Sequence, residues 1–119
     1  MYHKDLEVYK QAIKFVVLIY SITENFPQAE IYGLTNQIRR AAVSIPSNIA
    51  EGCARVSDKQ LMNFVNICMG SLAEVETQLN IANLLGYIKD CSQADTELNK
   101  LKSLLIGFKN HISKKCDIN

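Results

Sequence analysis

Apolar residues recur at alternating intervals of three and four positions along most of this 119-residue chain. This spacing places them on one side of an α-helix, which completes a turn about every 3.6 residues. The sustained alternation of apolar and polar residues that a half-buried strand requires is missing from the sequence. The pattern therefore predicts an all-α fold. The most regular row consists of Leu61, Val65, Cys68, Leu72, Val75, Leu79 and Ala82.

Four segments carry this periodicity, and helix-ending signals separate them. Pro27 ends the first, because proline has no backbone donor and disfavours a helical residue before it. Asp5 is a plausible N-cap for the first helix, and Ser57 opens a capping box with Gln60 at the third. Gly86 ends the third helix. The predicted helices run from Asp5 to Thr23, from between Ile31 and Leu34 to Arg55, from Ser57 to Gly86, and from residues 90–92 to Lys115.

Short connections between four amphipathic helices indicate an antiparallel up-down-up-down four-helix bundle. We predict one such domain over residues 1–119, because no linker or low-complexity run divides the chain. Pro46 lies inside the second helix, where it removes one hydrogen bond and crowds the preceding turn. The apolar row keeps its phase on both sides of this proline. We therefore predict a kink in the second helix with continuation beyond it.

The first two helices carry more apolar surface than the core of a small bundle requires. The first has a core row from Leu6 to Tyr20 and a second row on the opposite side, and the second helix has a widened apolar arc. Either the first helix lies deep in the bundle, or both helices present a face to another subunit, and we favour the second interpretation. The predicted oligomer interface consists of Val8, Ala12, Phe15, Ile19, Ile22, Val43, Pro46 and Ala50.

Composition excludes several classes of protein. The net charge of +1 argues against a strongly electrostatic polyanion binder, and no uncharged stretch is long enough to span a membrane. The four cysteines and two histidines lack the local spacing of a metal or redox site.

No nucleophile accompanies the glutamates, so we expect no catalytic residues, cofactor, metal or small-molecule substrate. The charged N-terminus is unlike a signal peptide, so we expect a cytoplasmic protein with reduced thiols.

Arginines provide the one local grouping suited to phosphate. Arg39 and Arg40 are adjacent, and Arg55 follows about four turns later. A guanidinium group can bind a phosphate through two parallel hydrogen bonds. Alternatively, Arg40 pairs with an acid such as Glu51 across a subunit contact, while the stem of Arg39 covers apolar surface. We take the three arginines as candidates for nucleic-acid binding.

Five segments of the chain form a recognisable combination: residues 5–9, 26–30, 32–34, 37–52 and 70–74. The block from Arg39 to Gly52, with Pro46 inside it, is the most specific part. Together these segments resemble the bacterial four-helix bundle proteins that are encoded in intervening sequences of 23S ribosomal RNA genes. The similarity covers nearly the whole chain.

The resemblance implies a small ring-forming oligomer, often a pentamer. A related protein, the accessory subunit of diversity-generating retroelements, binds nucleic acid and is markedly basic, whereas this chain is nearly neutral. An oligomer could still gather its arginines into a local positive ring. The leading hypothesis is a non-enzymatic homo-oligomer that binds structured RNA or a ribonucleoprotein partner. The alternative is a protein-interaction scaffold with no nucleic-acid role.

Overall fold

The computed structural model describes residues 1–116, so the last three residues of the predicted domain lie outside it. Its long elements are four α-helices, and the described residues include no β-strand. Two short 3-10 turns, His3–Asp5 and Gln28–Glu30, precede the first and second helices. The four helices are α1 (Glu7–Thr23), α2 (Leu34–Cys53), α3 (Asp58–Leu84) and α4 (Ser92–Cys116). The all-α, four-helix prediction is confirmed.

Capping explains where the helices begin. Ser57 is the N-cap of α3, and its hydroxyl accepts a hydrogen bond from the Gln60 N–H at 3.1 Å, as the sequence predicted. The prediction of Asp5 as the N-cap of α1 is wrong. Asp5 belongs to the preceding 3-10 turn, and Leu6 occupies the cap position without a side-chain bond. At α2, the Glu30 carboxylate reaches forward and accepts the Leu34 N–H at 3.1 Å.

The helices surround one hydrophobic core, and each of them contacts two neighbours in the cyclic order α1, α2, α3, α4. Cross-helix contacts run in opposite chain directions along α3 and α4: Lys102 pairs with Glu76 at 3.4 Å, and Lys115 with Asp58 at 4.0 Å. The described residues measure 48 × 24 × 23 Å along their principal axes. None of the helices in this part of the chain is long and apolar enough to cross a membrane.

Two connections meet at one end of the bundle, which we call the Tyr87 end. It holds residues 24–33, between α1 and α2, and residues 85–91, between α3 and α4. The rings of Phe26 and Tyr87 lie 5.5 Å apart, and the Tyr87 hydroxyl donates a hydrogen bond of 2.9 Å to Glu30. These contacts connect two parts of the chain that are distant in sequence.

Pro46 is buried within α2, which continues on both sides of it. Its missing N–H leaves one backbone carbonyl of the preceding turn without its usual helical partner. The continuation of the helix agrees with the sequence interpretation, whereas the kink stays a prediction.

The packing of α1 corrects the assignment of its two apolar rows. Val8, Ala12, Phe15 and Ile19 were expected at a subunit interface, but they are fully or almost fully buried in the protomer's own core. The row that was assigned to the core is only partly covered: Leu6, Tyr9 and Val16 are half-buried against the core, whereas Ile13 and Tyr20 are exposed. Two rows with the same three-and-four spacing are equally compatible with a helix, so spacing alone does not say which one faces inward.

Candidate functional site

An exposed apolar surface extends over neighbouring parts of α1 and α2. Val17 is the most exposed of its α1 members, with 64% of its surface accessible, and it lies one turn from both Ile13 and Tyr20. The core of the protomer is complete without these side chains, so the bundle itself does not account for them. We call this surface the α1–α2 face, and it consists of Ile13, Val17, Tyr20, Ile31 and Val43.

A groove of about 480 Å³ crosses the α1–α2 face near the Tyr87 end. Its apolar lining comes from Tyr20, Ile31 and Val43, and its polar lining includes Arg39 and Thr35. The Thr35 hydroxyl is buried and has no hydrogen-bond partner in the part of the chain that the structure describes. Arg40 also lines the groove, which thus combines apolar surface with two cationic groups.

Arg39 is held in place by α1. Its Nε donates a hydrogen bond of 2.8 Å to the Thr23 hydroxyl, and its guanidinium carbon lies 4.4 Å from the centre of the Tyr20 ring. The Thr23 hydroxyl in turn donates to the carbonyl oxygen of Ile19 at 2.8 Å. These contacts engage one edge and one face of the guanidinium, so Arg39 connects α1 to α2 as well as contributing charge to the groove.

Arg40 and Arg55 are exposed but far apart in the protomer. About 20 Å of helix separates Arg40 from the end of α2, where Arg55 lies. Arg40 forms no ion pair with another described residue, although it lines a shallow groove together with Glu74. Arg55 pairs with Glu51 at 3.3 Å and stacks 4.8 Å from the centre of the Phe64 ring. A single protomer therefore does not bring the three arginines together.

The remaining predicted interface residues have different environments. Val43 is exposed and belongs to the α1–α2 face. Ile22 and Ala50 are half-buried, and Ile22 packs against the core. Pro46 is buried by the protomer itself, so it is not available to a partner in the way the sequence suggested. Val43, with 38% of its surface accessible, is thus the one exposed member of the predicted interface set within the described chain.

Helices α2 and α3 make a close contact. A Cβ atom on Gly52 would lie 2.9 Å from the Cβ of Phe64 and 2.8 Å from a methyl group of Leu61, so only glycine fits there without a shift. Ser44 and Ser71 share a hydrogen bond of 2.9 Å across the two helices. We call this contact the α2–α3 seam.

Two of the cysteine thiols are buried in the protomer. Desolvation by burial raises the pKa of Cys68 to about 12, and its Sγ donates to the Ile45 carbonyl oxygen at 3.3 Å. Cys53 is also buried, with a raised pKa for the same reason. No group of three or more potential metal-ligating side chains occurs in this part of the chain.

Sequence reasoning missed Ile13, Val17 and Tyr20 as the exposed row of α1. A usable signal was present, because the row that includes Ile13 also contains Tyr9 and Tyr20. Tyrosine hydroxyls need a polar partner or water, so two tyrosines favour an outward position. The opposite row contains Ala12, whose small side chain suits a close helix contact.

Comparison with known proteins places this bundle among relatives. No curated protein matches the chain. A solved structure of a protein with unknown function from the S23 ribosomal protein family of Bacteroides thetaiotaomicron VPI-5482 has the same fold, with a TM-score of 0.75. It is 24% identical to this chain in sequence, and the match covers 86% of this chain and 97% of that one.

The family described as 23S rRNA-intervening sequence protein matches residues 4–107. The chain therefore belongs to the 23S rRNA-intervening sequence protein family.

Proposed function

We propose that this protein is a non-enzymatic bundle that assembles with copies of itself and that the assembly binds structured RNA or a ribonucleoprotein partner. The α1–α2 face is the observation that supports the proposal. Exposed apolar side chains on adjacent helices lose contact with water when a partner covers them, and contiguous surfaces of this kind usually mark interaction sites. A ring, with five subunits as the favoured number, agrees with the family resemblance.

Light scattering tests the self-association. We expect the wild-type protein to have a mass several times that of the 13.4-kDa protomer at micromolar concentration. Val17→Asp should shift the mass toward one protomer, because it places a charge in the centre of the apolar face. Ser103→Asp, at an exposed position on α4, is the matched control and should assemble as the wild type does. A wild-type protein that remains at 13.4 kDa contradicts the proposal.

RNA binding is supported by the family description, which refers to 23S rRNA, and by the exposure of two arginines. In an oligomer, each copy contributes its own Arg40 and Arg55, so a weak site in one protomer is repeated around the assembly. The net charge of +1 per chain limits non-specific attraction. Binding therefore depends on the local arrangement of these side chains.

A filter-binding assay with a structured RNA over a salt series tests this role. Affinity should fall steeply as salt rises, because phosphate contacts release counterions. Combining Arg40→Ala with Arg55→Ala should weaken binding and reduce the salt dependence, whereas Lys89→Ala, an exposed control at the Tyr87 end, should change little. If no RNA binds at low salt, the RNA role is wrong.

A protein-interaction scaffold without nucleic acid is the second candidate. It is favoured by the contacts of Arg39, whose guanidinium is engaged by Thr23 and Tyr20. Under this alternative, the oligomer forms in the light-scattering experiment and the RNA assay shows no binding at any salt concentration.

A further inference from the structure

Three aromatic rings meet where the chain enters α1. The centre of the His3 ring lies 5.5 Å from that of Tyr2 and 4.9 Å from that of Tyr9. Tyr9 packs against the core and His3 is half-buried, whereas Tyr2 is the outermost member, with 58% of its surface accessible. The cluster is therefore anchored at Tyr9 and open to a ligand at Tyr2.

The backbone before α1 fixes the position of Tyr2. The Asp5 N–H donates to the Tyr2 carbonyl oxygen at 3.1 Å, and the Leu6 N–H donates to the His3 carbonyl oxygen at 3.0 Å. The turn that these bonds form also contacts α2. Because the ring is already held in place, covering it with a ligand requires little additional ordering of the protein.

This cluster lies at the end of the bundle opposite the Tyr87 end. Arg39 near the start of α2 contacts Thr23 at the end of α1, so the last turn of α2 returns to the level where α1 begins. Helix α4 also ends here, since Lys115 pairs with Asp58, the first residue of α3, at 4.0 Å. We call it the Tyr2 end, and it comprises residues 1–6, 54–57 and 113–116.

The two ends of the bundle carry opposite charges. The Tyr2 end contains one carboxylate and four cations: Asp5, Lys4, Arg55, Lys114 and Lys115. The Tyr87 end contains one cation and three carboxylates: Lys89, Glu24, Glu30 and Asp90. The net charge of +1 for the whole chain conceals this difference. Phosphate groups are therefore attracted to the Tyr2 end and repelled by the other.

Two of the cations at the Tyr2 end can accept a phosphate at little cost. Lys4 is exposed and forms no ion pair with another described residue. Arg55 pairs with Glu51 at 3.3 Å, but both side chains are exposed, and such a pair contributes little free energy. The Phe64 ring, whose centre is 4.8 Å from the guanidinium carbon of Arg55, orients this group.

We infer that the Tyr2 end binds RNA through an unpaired nucleotide, whose base stacks on the Tyr2 ring while neighbouring phosphates contact Lys4 and Arg55. Stacking on a protein ring requires a base that is not enclosed in a duplex, as in a loop or a bulge. It tolerates any sequence, because every base has a flat π face. The inference rests on the proposed RNA role and specifies both the part of the RNA and the part of the protein that meet.

Exposure of a tyrosine does not by itself make such a site. Tyr32 is more exposed than Tyr2, with 93% of its surface accessible. It lies at the negatively charged Tyr87 end, however, and its ring has no aromatic neighbour in the part of the chain that the structure describes. Tyr32 is therefore the matched control for Tyr2.

Fluorescence anisotropy with two labelled RNAs tests the inference: a hairpin with an unpaired loop, and a fully paired duplex with the sequence of its stem. Tyr2→Ala should weaken binding of the hairpin about tenfold and leave binding of the duplex unchanged, because only the hairpin offers a base for stacking. Tyr2→Phe keeps the ring and should bind the hairpin as the wild type does. Tyr32→Ala should change neither affinity. Expression tags are removed, because both ends of the described chain lie at this site.

Lys4→Ala tests the phosphate contact. It should reduce the slope of log affinity against log salt concentration by about one for both RNAs, because a phosphate is present with or without an unpaired base. An unchanged slope would contradict the assignment of Lys4. Light scattering and circular dichroism on each variant check that assembly and helix content match those of the wild type.

Three results would contradict the inference and leave the RNA role intact. The first is a Tyr2→Ala variant that binds the hairpin as tightly as the wild type does. The second is an equal loss of affinity for the hairpin and the duplex, and the third is a loss in Tyr2→Phe as large as that in Tyr2→Ala. A wild-type protein that binds neither RNA at low salt contradicts the RNA role itself, and the inference fails with it.

Discussion

Helix α2 has one side that is closed by its own protomer and another side that remains open. At the α2–α3 seam, Gly52 allows close approach to Leu61 and Phe64, and Ser44 bonds Ser71. At the α1–α2 face, exposed Val43 has no comparable cover. Small residues and paired polar groups accompany the internal contact, whereas the larger apolar side chains of the other side stay exposed, as expected of a surface that a partner would cover.

The polar groups of the seam show why it is internal. The Asn48 amide donates to both the backbone carbonyl and the hydroxyl of Ser44, at 2.7 and 2.9 Å. Ser44 and Asn48 are half-buried, and these bonds satisfy them within the protomer. Leaving a buried polar atom unpaired costs about 1–3 kcal/mol, so partners within the protomer favour an internal contact.

The largest expected effect comes from substituting the same residue type on opposite sides of α1. Ile19→Ala should lower the free energy of unfolding by about 2–5 kcal/mol, because Ile19 is fully buried and its truncation leaves a cavity. Ile13→Ala should cost less than about 1 kcal/mol, since 41% of Ile13 is exposed. Urea unfolding of both variants at the same low concentration measures the difference. Equal losses would contradict the assignment of the two rows.

Adding one methyl group tests the closeness of the α2–α3 seam. Gly52→Ala should destabilise the protein by about 1–3 kcal/mol, because the new Cβ would collide with Phe64 and Leu61. Gly70→Ala is the control on α3, with no atom within 4 Å of its added Cβ, and should stabilise the helix by about 0.5–1 kcal/mol. Thermal or urea unfolding gives both values. A stabilising Gly52→Ala substitution would show that the helices can separate without cost.

Removing the hydroxyl pair should have a smaller effect. A double-mutant cycle with Ser44→Ala and Ser71→Ala should give a coupling free energy of about 0.5–1.5 kcal/mol, as expected for one hydrogen bond. Urea unfolding of the wild type, both single variants and the double variant supplies the four values. Strictly additive losses would mean that the 2.9 Å contact contributes no interaction energy.

The smallest effect concerns pH at the Tyr87 end. The Leu34 N–H and then the Tyr87 hydroxyl hold the pKa of Glu30 below its usual value of 4.5. A lowered pKa means that the ionised group adds stability above its unfolded-state pKa and loses this contribution as the pH falls through the folded-state pKa. The difference in Tm between the wild type and Glu30→Gln should therefore shrink between pH 7 and pH 3. A constant or growing difference would contradict this assignment.

The secondary structure could be predicted well from local signals. Ser57 is followed by Gln60 at the spacing of a capping box, and the structure places the N-cap there. Asp5 shows the limit of such signals, because a suitable side chain lies two residues before the helix begins. Cap residues are preferred at helix ends, but the surrounding turn decides which residue occupies the cap.

The candidate site was predicted only in part. Excess apolar surface on α1 and α2 was recognised, and Val43 remains a candidate contact. On α1, exposed Ile13 and Tyr20 were assigned to the core row and Val17 to neither row, because two rows of the same period do not show which one faces inward. The exposed apolar side chains of α3 were not recognised, since Ile81 and Leu84 are individually ordinary in a helical sequence.

The helices, their number and the family follow from the amino-acid sequence, because periodicity, caps and a specific block of residues are local properties of the chain. Which side of α1 is buried, and which surfaces stay exposed together, depends on how the helices pack. Burial depends on the positions of neighbouring helices, and those positions result from contacts such as Gly52 with Phe64 and Glu30 with Tyr87. These residues are distant in sequence, so no local pattern contains the information.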